Sequence, residues 1–185
     1  MKRSGQKLAV TGALAGALAL IMSGAEAQTS AGKSVTVEVH AITTSGVGES
    51  RGKVTFEQQS QGLLVTPDLK GLEPGLHGFH IHEKPSCDPA EKDGKNVAGQ
   101  AAGGHLDPNG SGQHKGPYAA GHQGDLPALY VNDEGKATLP LFAPNLKLND
   151  LPGHALMIHA GGDNYADQPE KLGGGGERVA CGVIQ

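Results

Sequence analysis

Six of the chain's nine histidines fall in patterns that suit metal binding. The first two, His80 and His82, are two residues apart in a segment with the composition of a strand, so both imidazoles project from the same face. Phe79 and Ile81 then turn towards the core. The pair therefore offers two nitrogen donors to one metal ion, and imidazole is a ligand for copper as well as zinc.

A second group of donors lies in the Gly- and Pro-rich segment from Pro85 to Asp125. It consists of three histidines and one carboxylate, namely His105, His114, His122 and Asp125. Three imidazoles and a carboxylate form a closed four-ligand set that suits structural zinc. A segment of this length without strand or helix periodicity needs something to organise it, and a bound metal would do so.

A further donor stands at the start of another irregular segment, from Gly161 to Glu177. His159 ends an apolar run, and we expect it to join His80 and His82. Asp163, four residues later, would accept a hydrogen bond from a ligand imidazole and fix its orientation. We interpret the remaining three histidines as structural or surface residues: His40, His77 and His154.

These donors need a scaffold, and the rest of the chain predicts an all-β one. The first apolar segment places four residues on one face of a strand: Val35, Val37, Val39 and Ala41. Further short apolar runs are separated by turns rich in Gly and Pro, which indicates a single β-sandwich or barrel domain. Turn residues from Asn132 to Gly135 between two such runs predict a hairpin.

Residues 1–27 are typical of a secretory signal peptide. Basic residues precede an apolar run from Leu8 to Met22, and Ala25-Glu26-Ala27 is an A-x-A cleavage site. The predicted mature domain is therefore residues 28–185, and its predicted location is the periplasm. The apolar run is short for a membrane span, so we expect no membrane attachment after cleavage.

Export also affects the interpretation of the two cysteines. An oxidising compartment permits a disulfide, and we predict one between Cys87 and Cys181.

The formal net charge of −4 gives no basis for nucleic-acid binding. An aromatic fraction of 3% leaves the core to aliphatic side chains.

Taken together, the chain resembles the exported copper,zinc superoxide dismutases of bacteria. The resemblance covers residues 34–185 and is carried by Gly75–Glu83, the loop histidines with Gly124-Asp125-Leu126, Ile158–Tyr165 and Gly173–Ile184. It implies a Greek-key barrel or sandwich of about eight antiparallel strands with two long metal-site loops. It also implies an oxidoreductase that converts two superoxide anions into O₂ and H₂O₂ by alternate reduction and oxidation of copper.

The resemblance implies a role for each candidate residue, with one copper and one zinc ion per subunit. The copper set is His80, His82, His105 and His159. The zinc set is His105, His114, His122 and Asp125, so that His105 bridges the two metals. Asp163 matches the residue that links the two sites from outside the ligand sets, and Cys87 and Cys181 match the family's disulfide. Arg178 matches the arginine beside copper, and Arg178 and His105 are the predicted catalytic residues.

Two other functions fit parts of this pattern. A non-catalytic copper- and zinc-binding module in the periplasm would need the ligands but neither Arg178 nor a bridging His105. A zinc hydrolase would need a carboxylate base near its metal, and Glu83 is the candidate beside the histidine pair. The dismutase is preferred because both Arg178 and the complete ligand sets are present. The sequence leaves a monomer and a homodimer open.

Overall fold

The computed structural model describes residues 1–2 and 33–185. The predicted signal peptide therefore lies outside the described residues, apart from its first two. In the described part no helix is long and apolar enough to cross a membrane. The strands are β1 (Ser34–Thr43), β2 (Gly46–Gln59), β3 (Gly62–Lys70), β4 (Gly75–His77), β5 (Phe79–His82), β6 (Ala90–Lys92), β7 (Lys95–Val97), β8 (Leu129–Val131), β9 (Lys136–Ala137), β10 (Leu141–Ala143), β11 (His154–His159) and β12 (Arg178–Ile184).

The main sheet has eight strands and is antiparallel throughout. Its order is β10-β3-β2-β1-β12-β11-β5, with β9 also paired to β3. The order β12-β1-β2-β3 is a Greek key, because the last strand returns by a long connection to lie beside the first. The predicted all-β, antiparallel fold is confirmed.

The core is aliphatic, as the composition requires, and an irregularity in β1 divides it into two clusters. Val37 and Val39 are buried in the main cluster, but the register of β1 against β2 shifts on either side of His40. A β-bulge reverses which side chains face inwards. Ile42 is therefore buried in a second, smaller cluster, and the predicted inward residue Ala41 is only partly buried.

The strand predicted around His80 and His82 is β5, and Gly78 separates it from the short strand β4. Strand β4 pairs with β8, whereas β5 pairs with β11 at the edge of the main sheet. Gly78 has no room for a side chain, since a methyl group there would lie 3.1 Å from the His80 ring and 3.3 Å from His159 Cβ. The absence of a side chain at Gly78 therefore lets the beginning of β5, which carries His80, lie close to the end of β11, which carries His159.

The hairpin predicted around Asn132 is partly wrong. The turn itself closes, with the Gly135 N–H donating to Asn132 O (2.9 Å). However, β8 then pairs with β4 and β9 pairs with β3, so the two strands do not form a ladder with each other. Pairing with existing strands buries Leu129, Val131 and Ala137 more completely than an isolated hairpin would.

The irregular segment from Pro85 to Asp125 contains more local structure than the sequence predicts. Strands β6 and β7 form a small hairpin, and Gln100–Ala102 is a 3₁₀ turn. The predicted disulfide between Cys87 and Cys181 is present and joins this segment to β12. Both cysteines are buried in the second cluster with Ile42, Ala102, Ala155 and Met157.

We predict that replacing both cysteines with alanine lowers the melting temperature and loosens the segment from Pro85 to Asp125. The disulfide spans 94 residues, and closing a loop of that size stabilises the fold by about 4–5 kcal/mol in the chain-entropy model. Thermal unfolding and amide hydrogen exchange measure both effects. Adding a reductant should destabilise the natural chain and leave the double variant unchanged; equal melting temperatures for the two proteins would contradict the prediction.

Candidate metal centre

The edge of β5 that does not pair with β11 is bound by two parts of the segment from Pro85 to Asp125. The Leu106 N–H donates to Ile81 O (2.8 Å), and the Ile81 N–H donates to Gly124 O (2.8 Å). Gly124 is required at this contact, because any side chain would collide with Ile81 O and lie 2.9 Å from the Leu106 backbone N. These bonds form two isolated antiparallel β-bridges. In one, His82 lies opposite His105, and in the other, His80 lies opposite Asp125.

The other edge of β5 pairs with β11, which supplies the remaining histidine. His159 ends β11 and lies opposite Arg178 at the beginning of β12. One nitrogen from each member of the copper set lies within 4.8 Å of the others, and all four residues are buried. The structure therefore brings together the four histidines that the sequence assigned to copper.

A protein oxygen fixes one nitrogen of each copper-set ring and leaves the other nitrogen facing the cluster. The His82 Nδ1 bonds Gly103 O (3.0 Å), and the His159 Nδ1 bonds Gly176 O (3.3 Å). The His105 Nδ1 lies 2.9 Å from Asp125 Oδ1, and the His80 Nε2 lies 2.7 Å from Asp163 Oδ2. Hydrogen bonds of this kind set the tautomer and orientation of ligand imidazoles.

The zinc set gathers around the carboxylate of Asp125. Three Nδ1 atoms face it: His105 at 2.9 Å, His114 at 2.9 Å and His122 at 3.5 Å. Donor atoms of His80, His105, His114 and Asp125 also lie within 4.8 Å of one another, so His80 stands between the two sets. His122 lies at the margin, with its ring 5.3 Å from that of His105.

Asp163 lies between the two sets and contacts a ring from each. Its side chain is fully buried, and each oxygen binds a different ring: Oδ2 to the His80 Nε2 and Oδ1 to the His114 Nε2, both at 2.7 Å. The Tyr165 N–H also donates to Oδ1 (2.8 Å). The carboxylate therefore orients one ring from each set.

The unpaired buried atoms of the described residues show whether this arrangement fits metal ions. Eight buried side-chain polar atoms lack a hydrogen-bond partner, and seven of them belong to the two sets. Buried polar atoms are normally paired, so such a concentration requires an explanation. Four are copper-set nitrogens, the His80 Nδ1, His82 Nε2, His105 Nε2 and His159 Nε2. The other three, the His114 Nδ1, His122 Nδ1 and Asp125 Oδ2, meet only within the ion pairs around the Asp125 carboxylate. Nitrogen and carboxylate donors aimed at common points fit copper and zinc.

Burial keeps the copper set ready to bind metal. Burial, together with the nearby His80, lowers the pKa of His105 to about 4 and that of His159 to about 3. Burial likewise lowers the pKa values of His80 and His82. Neutral imidazole is the form that coordinates metals. These four rings are already neutral at neutral pH, so they do not have to release a proton before they bind a metal ion.

The zinc set has the opposite electrostatic character. Burial alone would lower the pKa of His114, but its contacts with the Asp125 and Asp163 carboxylates raise it to about 9. Burial works against ionisation of Asp125, yet the three histidines that face its carboxylate hold its pKa well below the usual range. The negative charge of Asp125 therefore stabilises a cation among the three rings.

Arg178 lies beside the copper set and is held by two backbone carbonyls. Its Nη1 donates to Gly99 O (2.6 Å), and its Nη2 donates to Gly103 O (2.7 Å). Gly103 O is also the acceptor for the His82 Nδ1, so the arginine and this histidine share one oxygen. Sequence reasoning missed the two carbonyls, because backbone acceptors leave no residue-type signal.

The histidines interpreted as structural lie outside both sets. The ring of His77 is buried, and its nitrogens lie 2.7 Å from His159 O and from Glu73 O. The His154 Nδ1 bonds Glu83 O. The exposed Glu83 carboxylate accepts the Gly104 N–H (3.1 Å) and is in neither donor cluster, so it is not placed as a hydrolase base.

Comparison with known proteins identifies the same chemistry. Residues 50–184 match the family model described as copper/zinc superoxide dismutase. The Cu-Zn superoxide dismutase of Escherichia coli strain K12 is 59% identical over 150 residues, which cover 80% of this chain and 87% of that protein.

Solved structures agree in fold as well as sequence. The Cu/Zn superoxide dismutase of Brucella abortus superimposes with a TM-score of 0.81 at 49% identity, covering 83% of this chain and all of that one. The monomeric copper, zinc enzyme of Salmonella enterica gives 0.75 at 55% identity, with the same coverage. The predicted enzyme class, superoxide-dismutating activity and copper and zinc cofactors are confirmed. This chain belongs to the copper/zinc superoxide dismutase family.

Proposed function

We propose that the copper set holds one copper ion and the zinc set one zinc ion, and that superoxide is dismutated beside His105 and Arg178. The observation that carries this assignment is the set of four buried copper-set nitrogens without a hydrogen-bond partner, next to three imidazoles that converge on the Asp125 carboxylate. When bound, copper supplies the one-electron oxidation and reduction of superoxide, and zinc supplies a fixed positive charge that orders its ligands.

His105 is the residue common to the two sets. Its Nδ1 faces Asp125 on the zinc side, and its Nε2 faces the copper donors. Reduction of superoxide to H₂O₂ consumes protons as well as an electron. We assign the His105 Nε2 as the atom that holds one of these protons and passes it on, since the zinc side fixes the ring in place.

Arg178 attracts and positions the anionic substrate. The chain carries a formal net charge of −4, so long-range repulsion must be overcome by a local positive field. Both terminal nitrogens of the guanidinium are anchored to carbonyls, which holds the charge beside His82 and His159. A fixed charge at this place raises the encounter rate and orients the anion.

We also propose that the chain is exported, cleaved after Ala27 and active in the periplasm as a monomer. The composition of residues 1–27 supports export, and the disulfide suits an oxidising compartment. Every predicted ligand, Asp163 and Arg178 come from one chain, so no partner subunit is needed to complete the site. The Salmonella enterica relative is described as monomeric.

The test of this proposal is the metal content and activity of protein purified from a periplasmic extract. We expect an intact mass starting at Gln28, one copper and one zinc per chain, and fast dismutation that a copper chelator abolishes. Two bound metals without turnover would instead support a copper- and zinc-binding module. A mass that retains the leader would contradict the export proposal alone.

We predict that Arg178→Ala lowers kcat/KM for superoxide by about tenfold or more and flattens its dependence on ionic strength. The copper content should stay near that of the natural chain, since the ligands are unchanged. Lys136→Ala is the matched control, because it removes one positive charge from an exposed turn. Equal kinetics for the two variants would remove Arg178 from the mechanism.

We predict that Asp125→Ala lowers zinc affinity by at least about 100-fold, more than expected for loss of a residue outside the ligand sets. The reason is that Asp125 supplies the anionic charge facing three imidazoles. Metal analysis after dialysis against a chelator measures the loss, with the exposed Asp133→Ala as control. Loss of copper with zinc retained would show that the two sets are exchanged.

A further inference from the structure

Gly173, in the glycine run Gly173–Gly176, packs directly against the carboxylate that links the two metal sets. It is buried and has a φ of 75°. A methyl group at this position would lie 2.7 Å from Asp163 Cγ and 2.8 Å from the His114 Nε2, and it would overlap Asp163 Oδ1. The space a side chain would need is therefore occupied by the hydrogen bond between Asp163 and His114.

The Asp163 carboxylate has no freedom to move away from such a group. Its side chain is fully buried, and its two oxygens are bound to the His80 Nε2 and His114 Nε2 at 2.7 Å each. A shift of a few tenths of an ångström towards either ring disturbs the bond to the other. An obstruction at Gly173 would therefore misalign a ring in each set.

The backbone of Gly173 is also held in place. Its N–H donates to Ala166 O (3.0 Å), and its carbonyl accepts the Asn164 N–H (3.0 Å). Asn164 follows Asp163 directly, so the glycine and the carboxylate belong to one hydrogen-bonded loop. The loop cannot accommodate a larger residue by moving Gly173 outwards without breaking these bonds.

We propose that Gly173 is a positioning residue for both metal sites, which it serves by leaving the Asp163 carboxylate room to bridge His80 and His114. The inference rests on the proposed ligand sets. It assigns to Gly173 a steric role, which is to leave space for the Asp163 carboxylate, in addition to adopting the positive φ of the loop. Residues that orient metal ligands from outside the coordination sphere typically change metal affinity about 10- to 100-fold when altered.

The neighbouring glycine provides a matched control. Gly174 has the same φ of 75°, so alanine meets a left-handed backbone at both positions. A methyl group on Gly174 would meet only the flexible side chain of Glu170, with Cβ at 3.3 Å. Any difference between Gly173→Ala and Gly174→Ala therefore reports the contact with Asp163 and not the strain of the backbone.

The test compares the two alanine variants with the natural chain. Zinc affinity is measured by competition with a chelator, and Co²⁺ bound in place of zinc reports ligand geometry through its visible absorption. We expect Gly173→Ala to weaken zinc binding about 10- to 100-fold and to shift the Co²⁺ spectrum. Gly174→Ala should match the natural chain in both, with a smaller loss of thermal stability than Gly173→Ala.

A double variant shows whether the effect acts through Asp163. In an Asp163→Ala background the obstructed carboxylate is absent, so adding Gly173→Ala should lower zinc affinity little further. If Gly173→Ala alone does not fold, recovery of folding in the double variant supports the proposal, and failure to recover overturns it.

Equal zinc affinities and Co²⁺ spectra for Gly173→Ala and Gly174→Ala overturn the inference, and so do fully additive effects in the double variant. The natural chain is measured in parallel. If it binds one copper and one zinc ion and dismutates superoxide, the proposed function stands whichever way the glycine variants behave.

Discussion

The site depends on how the segment from Pro85 to Asp125 binds the edge of β5 that does not pair with β11. An edge strand presents unpaired N–H and C=O groups that need partners. Here Ile81 is bound through both of its backbone groups, to Leu106 and to Gly124. Because these bonds fix the register, His105 lies opposite His82 and Asp125 lies opposite His80. Pairing with β11 at the other edge brings His159 to the same place. Two distant parts of one segment with little regular structure are thus aligned by backbone hydrogen bonds to a regular strand.

The two metal sets are joined by two different kinds of link. His105 contributes one nitrogen to each set, and Asp163 binds one ring from each set with its two oxygens. Burial keeps the copper-set imidazoles neutral, whereas the buried charge of Asp125 favours a cation on the zinc side. The imidazoles on one side of the centre are therefore neutral, whereas on the other side the ionised Asp125 faces a protonated His114 before any metal is bound. A cation among the zinc-set rings is thus favoured by Asp125 even without a metal ion.

Arg178, which we propose attracts the substrate, is held by the same part of the backbone as His82. Gly103 O accepts hydrogen bonds from both Arg178 and His82, and Gly99 O accepts a second bond from Arg178. The disulfide from Cys87 to Cys181 ties this part of the chain to β12, the strand that begins with Arg178. A movement of the segment from Pro85 to Asp125 would therefore displace Arg178 and His82 together.

The sequence by itself determined the donor types, the all-β class, the disulfide and the family, because these follow from residue identity, spacing and alternation. It indicated that His80 and His82 share a face, since that is a local property of a strand. It did not determine the pairing of β8 and β9, the bulge that buries Ile42 in place of Ala41, or the hairpin of β6 and β7. Those features depend on which distant strands and core positions are available. Only the tertiary structure showed that Gly103 O serves two residues and that Gly173 packs on Asp163, because a backbone carbonyl and a missing side chain acquire a role only from what lies against them.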